Sequence, residues 1–369
     1  MDLVSSSDRI AGLSFMDAIK PKYSLGEVRR AGRVLRQKYE DTSPDLEQAF
    51  RVAYNWIGSH ALPMSHLRSE LMGKVRGGGV SAITAARVKR MVSIRRKISA
   101  GKSSLVDMQD LGGCRAVVSD MSEVRRLIQI YDGGASKHEM RRFDAHIDQP
   151  KASGYRSHHI IMRYVGEGKN AAFKRHDIEL QLRTRAQHAW ATAVESVGLM
   201  RNENLKAGEG CERWLRLFAL MAGEMAEDEH QELVPGITSD REKRRAEIAD
   251  LDRQLKAIAK LDTYRSLIKQ TEHVMRKNAR FFQLSFDRST NTITATTYNI
   301  KGLGVDRAET RSGIDTVVVE VDSAKDLRTA YPNYFMDVQM FVDRLRKAAG
   351  SSYAYQDPKS VKQIFSIRE

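Results

Sequence analysis

Two textures of apolar spacing run along the chain. Residues 15 to about 75 read as helical. "SLGEVRRAGRVLRQKY" (24–39) opens with Ser24 and Glu27 at capping-box spacing, then repeats apolar residues at helical intervals. "SPDLEQAFRVAYNWI" (43–57) predicts a second helix, with Ser43 ahead of Pro44 at the first helical position. "RGGGVS" (76–81) interrupts the pattern and marks a loop. From about 85 to 200 short β-rich runs alternate with helices: "CRAVVS" (114–119), the helix "MSEVRRLIQIY", "YRSHHIIMRYV" (155–165), "DIELQLR" (177–183) and the helix "AQHAWATAVESV".

Residues 200 to 276 return to helix. Ile248, Leu251, Leu255, Ile258, Leu261 and Leu267 fall near one face, as in a long amphipathic helix or a helical hairpin packed on its neighbours. "FFQLSF", "NTITATTYN" and "DTVVVEV", then the helix "NYFMDVQMFVDRLRKAA", predict a small C-terminal α+β module. The expected class is α+β, with a mixed β-sheet domain flanked by helices. The expected divisions are an N-terminal helical region (1–60), the mixed domain (61–200), a helical connector (201–276) and the C-terminal module (277–369).

Composition narrows the function. At 369 residues, 41% hydrophobic and 29% charged, the chain has room for two or three domains with real cores. A formal net charge of +14 favours polyanionic partners such as nucleotides or nucleic acid, without saying which. The two cysteines, Cys114 and Cys211, have no metal-ligand spacing, which fits a reducing cytoplasm. "MDLVSSSDRIAGLSF" lacks the make-up of a secretory signal, and no run approaches 18 apolar residues, so no membrane role is expected.

Four stretches carry chemistry. In "DIELQLRT", period-two geometry sends Ile178, Leu180 and Leu182 to one face and Glu179, Gln181 and Arg183 to the other. Taken singly, this is a solvated sheet face. In "PKASGYRSHHII", Tyr155, Ser157 and His159 would share one face and Arg156 and His158 the other, beside the cation of Lys151. Antiparallel pairing of the two runs across "GEGKNAAFKRH" would gather an aromatic ring, a histidine, a carboxylate and an arginine. In "DMQDLGGCRAVVSD", Asp110 precedes a strand that holds Arg115, and two glycines leave space for a ligand. Asp110 with Glu179 would make a hard-oxygen site for Mg²⁺, although a turn or cap is the common fate of an aspartate. In "RVKRMVSIRRK", Arg87 and Lys89 alternate as on a strand, Ser93 can begin a helix, and Lys97 follows on the same face, making a phosphate cradle or simply a basic helix face. "AGKSS" (100–104) lacks the first glycine of a P-loop, where Arg96 stands, and "HD" (176–177) has no upstream partners for a metal-dependent phosphohydrolase.

In order along residues 60 to 200, R-x-K-x-x-x-S-I-x-x-K, D-L-x-x-x-R, P-K-x-x-G-Y-x-S-x-H and E-x-Q-x-R-T resemble the synthetase domain of the RelA/SpoT alarmone nucleotidyltransferases. The resemblance implies a short, hydrolase-lacking synthetase. It implies transfer of the β,γ-pyrophosphate of ATP to the 3′-hydroxyl of GDP or GTP, giving (p)ppGpp and AMP with Mg²⁺ as cofactor. By position, Asp110 and Glu179 would hold the metal, and Glu179 would also draw the proton from the attacking hydroxyl. Tyr155 would stack on the acceptor base, and Arg87 and Arg115 would sandwich the adenine. Lys89, Ser93 and Lys97 would hold ATP phosphates, with Lys151, His159 and Arg183 on acceptor or transferred phosphates.

Ser153 where many relatives have asparagine, Cys114 where an aliphatic residue is usual, and the run "LRTRAQHAWATAVESV" depart from the family pattern. They leave the acceptor open, because some short relatives pyrophosphorylate the 3′ end of tRNA as toxins or make adenosine alarmones. An inactive RNA- or nucleotide-binding protein and a homo-oligomer are the other readings. In some fused toxin relatives a Tyr-x-x-Tyr element in a C-terminal domain blocks the synthetase. "YPNY" (331–334) has that spacing, although it reads first as a helix start with both rings packed in a core.

Overall fold

The computed structural model describes residues 19–36, 44–89, 91–101, 103–134, 136–201, 203–262, 281–287, 292–298, 314–320, 334–351 and 364–367. Ser43, Leu267 and the Tyr331 end of "YPNY" lie outside the described residues. The chain divides into two compact units: Met1–Ala145 with Ser157–Arg183, and His146–Arg156 with Thr184–Glu369. These divisions cut across boundaries expected near 60, 200 and 276.

In the first unit, α1 (Leu25–Arg36) begins with the expected reciprocal cap. The Glu27 carboxylate accepts from the Ser24 N–H at 2.8 Å, and the Ser24 hydroxyl accepts from the Glu27 N–H at 3.3 Å. Helix α2 (Pro44–Gly58) pairs with α1. Together with α4 (Met91–Ser99) they bury Leu35, Ala53, Trp56, Ile94 and Ile98 in one cluster. Helices α3 (Ala61–Gly77) and α5 (Met121–Asp132) lie against β2 of a five-stranded mixed sheet of order β1-β2-β5-β4-β3. Its strands are β1 (Ala82–Val88), β2 (Gly112–Val118), β3 (Glu139–Ala145), β4 (His158–Arg163) and β5 (Asp177–Thr184).

The anticipated antiparallel pairing of β4 and β5 is present, with His159 opposite Gln181 and Ile161 opposite Glu179. Gly112 is required by packing rather than by a ligand: a Cβ there would meet the Ile178 side chain at 2.6 Å. The same contact puts Gly112 and Ile178 on one face, and so Gly113, Arg115 and Glu179 on the other. Strand β3 escaped the period-two reading. It is a largely exposed edge strand, and a register shift between Met140 and Arg142 breaks its alternation.

The second unit is built on α6 (Arg185–Arg201), α7 (Glu212–Asp228), α8 (Arg241–Leu255) and α9 (Tyr334–Ala349). The expected long helix is interrupted at Lys256, which takes a left-handed φ of 53°, and helix resumes over 257–262. Ile248, Leu251, Leu255, Ile258 and Leu261 are buried as the spacing predicted. Three of the four strands of the C-terminal sheet, order β8-β6-β7-β9, match the expected runs: β6 (Phe281–Asp287), β7 (Thr292–Tyr298) and β8 (Ile314–Glu320). The short β9 (Ile364–Ile367), parallel to β7, was not anticipated. Helix α9 does not stay with that sheet alone: Val338, Phe341, Val342 and Leu345 are buried in the same cluster as residues of α6, α7 and α8. No described helix is long and apolar enough to cross a membrane.

Candidate active site

The first unit gathers most of the expected residues on the polar face of its sheet. Strand pairing sets Arg87 opposite Gly113 and Ala85 opposite Arg115, so the two arginines are diagonal neighbours on one face. Lys89 follows β1 directly. Its backbone N–H donates to the Leu111 carbonyl at 2.7 Å, which extends the β1–β2 pairing by one step and sets Lys89 beside Asp110. The Lys89 ammonium donates to Asp110 Oδ2 at 2.7 Å, and Lys97, carried in by α4, donates to Oδ1 at 3.1 Å. Ser93 lies exposed in the first turn of α4, one turn before Lys97. The Asp110 side chain is 20% exposed, so this pair of charge-assisted bonds is shielded on one side and open on the other.

Glu179 is the second acidic centre. Its Oε1 lies 3.0 Å from His159 Nδ1, and both side chains are 13% exposed. Its Oε2 accepts from the Gln181 amide. Burial by itself would raise the Glu179 carboxyl. The hydrogen bond and charge of His159, the Gln181 amide and the Lys89 ammonium outweigh that, and hold it well below the usual carboxylate range. Lys89 is therefore shared between the two acids: it bonds Asp110 and acts on Glu179 through its charge.

Two residues depart from expectation. Arg183 is only 2% exposed and donates to Gln181 Oε1, so it orients the amide that holds Glu179 rather than facing a phosphate directly. Tyr155 does not share a strand face with His159, because β4 starts three residues later. Its ring belongs to the second unit and is 4% exposed. The ring packs 6.3 Å from Trp190, with the Lys151 ammonium 5.6 Å and the Lys206 ammonium 5.4 Å from its centroid. A base could stack on Tyr155 only after these lysines give up a face. Arg156 and His158, expected to point away from the site, are buried. Sequence alone assigns no role to Gln181, which bonds Glu179, or to Lys206, which lies over the Tyr155 ring. The alternation of β5 exposed the first, whereas Lys206 lies in a 3-10 turn (Leu205–Ala207) with no sequence signal.

The donor set suits a divalent cation of the magnesium class: two acidic side chains with hard oxygens, one held firmly ionised, under the charge of one lysine. Together, two carboxylates acted on by one lysine, a second lysine and two arginines on the sheet face can bind a polyphosphate and neutralise charge during its transfer.

Part of the chain matches a family model, and part resembles solved structures. Residues 86–199 match the family model described as the region found in RelA/SpoT proteins. Among solved structures, a GTP pyrophosphokinase family protein from Streptococcus pneumoniae is 22% identical, covering 51% of this chain and 91% of its own, with a TM-score of 0.40. Small alarmone synthetase 1 from Bacillus subtilis, bound to its product pppGpp, is 21% identical over 50% of this chain and 93% of its own, with a TM-score of 0.40. Small alarmone synthetase 2 from the same organism is 20% identical over 48% and 90%, with a TM-score of 0.38. A comparison with curated proteins gives no match. Over residues 86–199 this chain is similar to the region found in RelA/SpoT proteins.

Proposed function

We propose that the chain transfers the β,γ-pyrophosphate of ATP to the 3′-hydroxyl of GDP or GTP, with Mg²⁺ held by Asp110 and Glu179. The bond that forms joins the 3′-oxygen to the β-phosphorus; the bond that breaks joins the α,β-bridging oxygen to it, AMP leaves, and the 3′-hydroxyl proton passes to solvent. The observation that carries the reading is the cluster of Asp110, Lys89, Lys97, Glu179 and His159 within the RelA/SpoT region. Asp110 and Glu179 would hold magnesium, which when bound would supply neutralisation of phosphate charge.

The protein side of the chemistry is alignment and charge. Lys89 and Lys97, which bond Asp110, would turn to the phosphates of ATP. Arg87 and Arg115, diagonal neighbours on the face, would hold the adenine between them. Ser93 offers a hydroxyl in the first turn of α4, and His159 and Lys151 supply further donors. Glu179 serves first as an ion ligand: a carboxyl held so low is a weak proton acceptor at neutral pH, where a matched base would titrate near the working pH.

The test supplies ATP labelled in the γ-phosphate with GDP, GTP, ADP or tRNA in turn. Label on GDP or GTP, with AMP formed in equal amount, supports the proposal. Label on ADP or on the 3′ end of tRNA moves the acceptor to the toxin or adenosine-alarmone class. No transfer, with nucleotide still bound, leaves a binding protein and ends the proposal.

A further inference from the structure

The loop that carries Lys151 and Tyr155 rests on the second unit's helical core. Gly154 takes a φ of 91°, and a Cβ there would lie 2.7 Å from Ala222 and 3.0 Å from Trp190. The loop is thus pressed against α6 and α7 with no room for a side chain. Trp190 packs on Tyr155 and donates its indole N–H to the Phe218 carbonyl at 2.8 Å. Phe218 stands edge-on to Trp190 at 6.2 Å and meets Phe341 of α9 at 5.6 Å. Four rings, Tyr155, Trp190, Phe218 and Phe341, make one continuous packed line, and all are buried. The loop's other end is tied in the same unit. Arg156 donates to the carbonyls of Ile147, at 3.1 Å, and of Glu232 just beyond α7. Beside it, Arg344 of α9 bonds Asp228 at 3.0 Å.

From this line of rings we infer that the C-terminal helix α9 is a positioning element for acceptor recognition: Phe341, through Phe218 and Trp190, fixes the loop that presents Tyr155 and Lys151. The inference rests on the proposed role of that loop in gripping the acceptor nucleotide. Close-packed interiors pass displacement along contiguous side chains, so a gap at Phe341 loosens the ring three contacts away. The helix lies far from the motif in sequence, and nothing in the motif foretells the connection.

The experiment measures steady-state transfer by the full-length chain in four forms: parent, Phe341→Leu, Tyr155→Ala, and the double variant. Phe341→Leu keeps an apolar side chain in the core, and its melting curve is compared with the parent's. The expected result is an acceptor KM raised about tenfold or more by Phe341→Leu, the scale of a small misplacement of a binding group, with the ATP KM unchanged. In the Tyr155→Ala background the same change adds little, because its path to the acceptor has been removed. Equal effects of Phe341→Leu in both backgrounds, or a rise in both KM values, overturns the inference. Tyr155→Ala without effect on acceptor KM instead sinks the assigned role of the loop, and the two failures are told apart by that one variant. Should Phe341→Leu fail to fold, Trp190→Phe takes its place in the same cycle with the same outcomes.

Discussion

Asp110 is held by two ammonium groups and Glu179 by an imidazole and an amide, so removing either negative charge has a defined consequence. Asp110→Asn leaves Lys89 and Lys97 facing a neutral oxygen, and Glu179→Gln removes the second ionised ligand. Each is expected to lower kcat/KM for transfer by about 10²–10⁴-fold, the range for removal of a positioned charged group, with folding retained; initial rates with labelled ATP check it. A second residue-scale expectation concerns His60 and His176, whose rings pack 4.4 Å apart in the first unit. Burial keeps both neutral, pushing His60 to about 3 and His176 to about 4. Above the ordinary value of 6.5 both are neutral folded or unfolded, and stability is intact. As pH falls from there toward 4, the unfolded chain takes up protons that the folded one refuses, and stability is lost. At about pH 5 this amounts to on the order of 2 kcal/mol per histidine. Guanidinium midpoints measured against pH should fall in that window, and more gently in His176→Gln. At this scale the sequence made Glu179 and His159 legible, because strand period fixes which side chains share a face. It did not make Arg183 or Tyr155 legible: both lie in the right segments, but burial of a side chain depends on contacts that no local period encodes.

The elements explain the gaps. Capping boxes, helical spacing and core-facing alternation are local, and α1, β2, β5 and α6 followed from them. Strand β3 did not, since an exposed edge needs no apolar face and its bulge shifts the period. Between α7 and α8 the second unit also holds a buried ionic cluster. Arg244, fully buried, bonds Glu224 at 2.8 Å, while Arg241 and Arg245 approach the same carboxylate at 3.1 and 2.9 Å. Removing the acid leaves buried Arg244 leaning on Glu227 alone among the acids that pair with it, so Glu224→Ala should destabilise the second unit by about 1–3 kcal/mol, seen as a lower melting temperature. The loop before β4 offers a milder break. Gly154→Ala combines a left-handed backbone with a 2.7 Å contact, and should reduce stability by about 1–3 kcal/mol while raising acceptor KM.

For the whole molecule, charge was legible and partition was not. A net charge of +14 gives a positive field that favours nucleotides, and it needs no knowledge of the fold. The boundary expected near 276 assumed that strands and helix of the C-terminal stretch stay together, yet α9 completes a core with α6, α7 and α8. A chain cut at about 276 is therefore expected to expose the apolar partners of Phe341 and to run as aggregate on size exclusion. Such a truncation reports on loss of the core and cannot isolate a blocking role for the segment beyond it.

Helix α9 also sets an order in time. Synthesis proceeds from the N-terminus, so the carboxylates and lysines of the first unit leave the ribosome long before Phe341 exists. Until residue 345 has emerged, the rings behind Tyr155 lack their last neighbour. A nascent chain can thus fold the strands that carry Asp110 and Glu179 while the core behind Tyr155 stays unfinished until Phe341 and Leu345 have left the ribosome.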